Sequence, residues 1–145
     1  MRKIIVLIFL VMSSISCSST YQGTQKRLND DTAISQVKKI RDAQIEFEKR
    51  YGKKKYGSLE DLVKENLIST DLSDGLDRGY KFLLKTENEK YSLQAVPVNY
   101  GTESSEGNIS LYLDESGVIR SASKKGINVP TWEIANSNSI PIKEQ

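Results

Sequence analysis

The stretch Thr32 to Tyr51 reads TAISQVKKIRDAQIEFEKRY. Ala33, Val37, Ile40, Phe47 and Tyr51 recur at intervals of three and four, and Gln44 fills the remaining slot. That spacing puts them on one face of a helix. Asp30 or Asp31 is placed to cap its start, and Gly52 to end it. Lys49, Arg50 and Lys53 to Lys55 gather near its end, where cations suit the helix dipole. At ~1.5 Å per residue such a helix is ~30 Å long, enough to back a small sheet.

The segments that need this backing follow downstream. Tyr80, Phe82 and Leu84 alternate with Lys81, Leu83 and Lys85, and Tyr91, Leu93 and Ala95 alternate with Ser92 and Gln94. Glu87-Asn88-Glu89 turns the chain between them, which predicts a hairpin with one apolar face. Ile109, Leu111 and Leu113 alternate with Ser110 and Tyr112. Asp114-Glu115-Ser116-Gly117 is a turn signal with Gly117 placed for positive φ, and Val118 to Ala122 returns as a fourth strand. Before the strands, Ser58 and Asp61 form a capping pair for a short helix with apolar side Leu59, Leu62, Val63 and Leu67. The expected fold is α+β: a long N-terminal helix and a short helix packed on a four-stranded antiparallel meander.

Composition narrows the chemistry. A length of 145 residues is a prior for one modest domain, residues 32–126. Hydrophobic content of 37% against 28% charged is polar enough that part of the chain is expected outside the core. The formal charge is +2, but Arg2 and Lys3 lie in a segment expected to be removed. Without them Lys+Arg is 21 − 2 = 19 against Asp+Glu 19, a net charge of 0. Nucleic-acid binders carry a basic surface, so that class is disfavoured. There is no histidine, which removes Ser-His-Asp and Cys-His arrangements and His-ligated zinc. Cys17 is the only cysteine, so there is no intrachain disulfide and no Cys-based zinc site. No cofactor is implied, and no phosphate-binding glycine loop appears. A carboxylate-dependent glycan hydrolase stays formally open. It needs two carboxylates ~5–9.5 Å apart across a cleft, and a helix-backed meander offers little cleft.

The front of the chain speaks to location. Met1-Arg2-Lys3 is a positive n-region, and Ile4 to Met12 is an apolar run of nine residues. A bilayer span takes ~20 residues, so this run fits a signal h-region over residues 1–16 instead. Ser13-Ser14-Ile15-Ser16-Cys17 follows. Small residues leading into a cysteine resemble the lipobox of bacterial lipoproteins, although Ser14 stands where that family usually has an aliphatic residue. The resemblance implies cleavage before Cys17, which becomes the acylated N-terminus. Ser14-x-Ser16 also satisfies the rule for simple signal cleavage, the reading of an ordinary secreted protein. Residues 17–31, polar after the cysteine, are expected to be a flexible tether. Serine rather than aspartate after the cysteine resembles lipoproteins sent on to the outer membrane in enterobacteria, and the expected location is the outer membrane or cell surface rather than the inner membrane.

A second resemblance covers roughly Thr32 to Ala122. It rests on Ala43-Gln44 before Tyr51-Gly52, Leu59-x-x-Leu62, Gly79-Tyr80-x-Phe82, Ala95-x-Pro97 and Asp114-x-x-Gly117-x-Ile119-Arg120. In that order they resemble the globular region of type IV pilin-like and type II secretion pseudopilin-like proteins. Such pilins have a prepilin site and a long apolar helix that packs the fibre core. This chain has a lipobox-like cysteine and polar residues there instead, so it is not expected to be a filament subunit. The expectation is a lipid-anchored, non-enzymatic protein-interaction module of the cell envelope, held to the membrane by its lipid and binding another envelope protein. The alternative is an accessory lipoprotein of a type IV pilus or type II secretion-like apparatus.

Candidate sites are few. Asp71, Asp74 and Asp77 stand at intervals of three in a loop and are a weak calcium candidate. The spacing is not that of an EF-hand, and a plain Asp/Gly turn accounts for it. Lys53 to Lys55 is read as a solvated loop rather than a headgroup site. Tyr100 and Glu103 lie in a long polar loop, Val98 to Asn108, and Trp132 in the tail over 127–145. These three are the partner-contact candidates, since loops on a rigid scaffold commonly carry recognition. Trp132 alternatively seals a sheet edge, with Ile134, Ile140 and Ile142 packing locally.

Overall fold

A computed structural model describes residues 18–102, 104–125, 131–132 and 134–143. Helix α1 runs Ser18–Tyr51, helix α2 Leu59–Lys64, and a 3-10 turn Thr70–Leu72. The strands are β1 Leu76–Asp77, β2 Tyr80–Glu87, β3 Lys90–Pro97, β4 Ile109–Asp114, β5 Arg120–Lys125, β6 Thr131–Trp132 and β7 Ile140–Pro141. All pairings are antiparallel. The path is β1-β2-β3-β4-β5-β6, with β7 also on β5. The fold is α+β. The sheet is wider than the expected four strands, because β1, β6 and β7 add to its margins. Each of these is two residues long, too short to carry a period that a sequence could reveal.

Helix α1 departs from expectation at its start. It is already helical at Ser18, the first described residue, so residues 18–31 are helical and not a loose tether. The physical reason is propagation. Once the apolar face of 33–47 fixes the helix, each preceding residue adds a hydrogen bond without a new nucleation cost, and Gln, Lys and Arg are good helix formers. Asp30 and Asp31 are therefore inside the helix and cap nothing. Gly52 does end it, at φ +107°, its N–H donating to Glu48 O at 2.9 Å. At ~1.5 Å per residue α1 is about 50 Å long, and its first turns stand clear of the sheet. Residues 21–28 are almost all exposed, and burial begins at Asn29. No helix of the described residues is long and apolar enough to cross a membrane.

The expected face of α1 is the buried one. Ala33, Val37, Ile40, Ala43 and Gln44 are buried, Phe47 is partly buried, and Tyr51 is half-exposed against the Phe47 ring at 4.4 Å. The face packs on Tyr80 and Phe82 of β2, Leu93 and Ala95 of β3, and Leu111 and Leu113 of β4. Register brings Leu84 beside Leu93, and Leu93 beside Leu113, as one apolar row. Burying each such side chain contributes about 1.5–3 kcal/mol.

The turns follow local chemistry. Asn88 and Glu89 both have positive φ, 48° and 62°, the conformation of a tight hairpin between Glu87 and Lys90. Gly117 has φ +73°, as its place in the β4–β5 turn predicts. The fourth strand starts at Arg120 rather than Val118, and Ile119 before it is buried. Ser58 and Asp61 form the expected capping box on α2.

Candidate functional site

Two polar assemblies hold the irregular parts of the chain to the sheet. The first fastens the Val98 to Asn108 loop to α1. Asp30 is buried and accepts the Asn108 backbone N–H at 2.9 Å and its side-chain amide at 2.8 Å. The Tyr80 hydroxyl lies 2.6 Å from Asp30 Oδ1 and 2.8 Å from Ile109 O, one proton facing two acceptors. Burial first, and then the Asp30 carboxylate, hold the Tyr80 phenol far above its ordinary pKa. Beside it Asn29 Nδ2 donates to Glu106 O at 2.8 Å. Gly107 fits because it lacks a side chain: a Cβ there would stand 2.5 Å from the Tyr80 hydroxyl and 2.6 Å from Asp30 Oδ1. Ser105 is buried as well, its hydroxyl donating to Gly107 O at 2.7 Å.

The second assembly lies on the sheet face away from α1. Alternation along the strands puts Gln94, Ser110, Tyr112, Arg120 and Ala122 there. The tail covers the middle of this face. The Ala135 N–H donates to the Ser110 hydroxyl at 2.8 Å, and Gln94 Nε2 donates to Ala135 O at 3.2 Å. Ala135 and Ser110 are both wholly buried. Arg120 Nη1 donates to Ser139 O at 3.2 Å, and the Ile142 N–H to Ile119 O at 2.8 Å. The loop reaches the same place: the Tyr100 hydroxyl donates to Ala122 O at 3.3 Å. A shallow depression of about 500 Å³ opens toward the hairpin end, lined among others by Lys85, Lys90, Tyr112, Asp114 and Glu115.

The residues singled out from sequence fall differently. Tyr100 is half-buried and its hydroxyl is bonded within the fold. Trp132 lies in β6, whose backbone pairs with Lys124 and Lys125 at the β5 edge; its side chain is outside the described residues. Cys17 and Glu103 also lie outside them. Asp71, Asp74 and Asp77 are not drawn together. Asp71 bonds the Ser69 hydroxyl at 3.1 Å, Asp74 accepts the Leu76 N–H at 3.0 Å, and Asp77 accepts from Gln36 Nε2 at 2.7 Å. Among the described residues no group of three or more His, Cys, Asp or Glu is placed to hold a metal ion. Gln94 and Ser110 were missed, because polar residues at outward strand positions look like ordinary solvent-facing ones. No protein-family model, no curated protein and no solved structure matches the chain.

Proposed function

We propose that this protein is a lipid-anchored, non-enzymatic module of the bacterial cell envelope that binds another envelope protein. The observation that carries the reading is that α1 is already helical at Ser18, the first described residue, and runs unbroken into the core. An acyl chain on Cys17 would then hold a rigid stem, not a slack tether, and would fix the height of the sheet above the bilayer. At ~1.5 Å per residue the stem from Ser18 to Leu28 sets that height at about 15 Å. Two or more acyl chains give stable attachment, whereas one is marginal. The test is the mass of the mature N-terminus together with fractionation of a Cys17→Ser variant. Acylated Cys17 and release of the variant from the membrane fraction are expected. An N-terminus without lipid overturns the reading.

One observation favours a second reading, an accessory lipoprotein of a type IV pilus or type II secretion-like apparatus. A helix that projects from an antiparallel head is the layout the pilin resemblance implies. The stem here is polar, with Gln22, Thr24, Gln25, Lys26 and Arg27, which suits association at an apparatus rather than burial in a filament core. Cross-linking in membranes separates the readings: capture of pilus or secretion components supports the second.

A further inference from the structure

The outer face of the sheet grips the backbone of one residue on both sides of its Cα. Ser110 accepts the N–H of Ala135 and Gln94 donates to its carbonyl, at 2.8 and 3.2 Å. These are side chains on adjacent strands, β3 and β4, reading the backbone of a segment that is not part of either. Around that residue the tail is held lightly. Residues 136–138 are exposed, Ile134 is half-exposed, and Ile140 is 77% exposed although it lies in β7. Firm purchase comes at Ala135, which is wholly buried, and at Ile142, which packs against the core. A segment whose side chains reach into the fold at Ala135 and Ile142, and whose other bonds are those of Ser139 and the two-residue β7 to β5, leaves most of its surface in water and opens more easily than the sheet beneath it.

We infer that this face is a binding site for an extended peptide segment, occupied in the free protein by the chain's own residues 134–143. The inference rests on the interaction-module reading and names its site and partner chemistry. Backbone readout by Ser110 and Gln94 is indifferent to side-chain identity, so selectivity comes from size. The residue at the Ala135 position must be small, because that position is fully enclosed, while its neighbours face solvent and can vary. Downstream the segment adds at the β5 edge, as Ile140–Pro141 does beside Arg120 and Ser121. Strand addition of this kind gives affinity through main-chain bonds. A partner segment therefore competes with the tail, and binding releases it.

The test uses the full chain and a synthetic peptide spanning Thr131 to Lys143. Replacing Ala135 by Arg in the protein ejects the tail, because the site has no room for the longer side chain. The Ala135→Arg chain should bind the peptide at least tenfold more tightly than the unaltered chain, whose tail competes. N-methylation of the peptide at Ala135 removes the hydrogen donated to Ser110 and should weaken binding about tenfold, the worth of one good hydrogen bond. In the unaltered protein, the Ala135 amide should exchange with solvent at least a hundredfold faster than the Leu93 amide. Equal peptide affinity for the two chains, an Ala135→Arg chain that does not fold, or an Ala135 amide as slow as Leu93 would each overturn the inference. None of these readouts depends on lipid at Cys17, so failure here and failure of the envelope reading are separate results.

Discussion

The side chain of Gln44 closes on the backbone of Gly57. Its Nε2 donates to Gly57 O at 2.7 Å and its Oε1 accepts the Gly57 N–H at 3.0 Å. Gln44 is wholly buried on the apolar face of α1, so it substitutes for the strand or helix partner that this turn lacks. Gly57 in turn presses on the Phe47 ring, where a Cβ would stand 2.9 Å away. The pair ties the α1–α2 connection to the core at one point.

Gln44→Leu keeps the volume and removes both bonds. It leaves a buried donor and a buried acceptor unsatisfied, at about 1–3 kcal/mol for each such group. The expected loss is about 3 kcal/mol by urea denaturation, larger than most surface substitutions produce. A change under about 0.5 kcal/mol would mean that water or a shifted turn satisfies Gly57 equally well.

Gly107→Ala tests the joint between loop and helix. The added methyl meets the Tyr80 hydroxyl and Asp30 Oδ1, both buried, and overpacking of this kind costs about 1–3 kcal/mol. Tyr80→Phe removes one of three obstructing atoms, leaving Asp30 Oδ1 and the ring Cε2 at 2.7 Å. The cost of Gly107→Ala should therefore be smaller in the Tyr80→Phe background, with a coupling of about 1 kcal/mol in a double-mutant cycle. Strict additivity would show that the Tyr80 hydroxyl is not what the added methyl meets.

The capping box gives a pH dependence. The Ser58 hydroxyl and then its backbone N–H hold the Asp61 carboxyl below its ordinary pKa. A depressed folded value means that the stabilisation is complete above the unfolded pKa, ~3.9, and is lost as pH falls through the lower folded value. Asp61 is exposed, so solvent screening keeps the effect modest. Ser58→Ala should cost about 1 kcal/mol near neutral pH and less as the pH falls below the unfolded carboxylate value, ~3.9. A melting-temperature difference that stays constant from pH 7 to pH 2 would contradict this.

Legibility followed the range of the contacts. The face of α1 and strands β2 to β4 follow from periods of 3.6 and 2, because each residue's neighbours across the core depend on its own position in the repeat. Gln44 could be placed on that face, but its partner thirteen residues on could not. Asp30 looked like a cap because its buried role depends on Tyr80, 50 residues away, and on Asn108, 78 away. The Val98 to Asn108 loop reads as polar and free. In the fold Ser105 is buried and Glu106 supplies the acceptor for Asn29, so the loop is part of the joint with α1. The tail has no period at all. Ala135 is one small residue among polar ones, and only the geometry of Gln94 and Ser110 reveals why it is enclosed.

The stem supplies the last prediction. Gly23 lies in α1 with nothing within 4 Å of where a Cβ would be, so Gly23→Ala creates no clash. Glycine inside a helix costs about 0.5–1 kcal/mol relative to alanine. Tyr21 and Leu28 on either side of it are 72% and 54% exposed, so these side chains add little apolar packing to this part of the helix. Gly23→Ala should therefore slow amide exchange across residues 20–27 by about threefold or more and leave the global melting temperature unchanged, because unfolding of the head does not involve these turns. Gly23→Pro should do the reverse locally: it lacks the N–H and clashes with the preceding turn, so helicity ahead of it is lost while the head melts as before. Such a variant also tests the spacer. If Cys17 is the anchor and a rigid stem sets the height of the head, a broken stem lets the head approach the bilayer, and cross-links from the Lys26 to Lys39 region to lipid headgroups should increase. Should Gly23→Pro lower the melting temperature of the whole protein, the stem is packed against something, and its role as a free spacer is refuted.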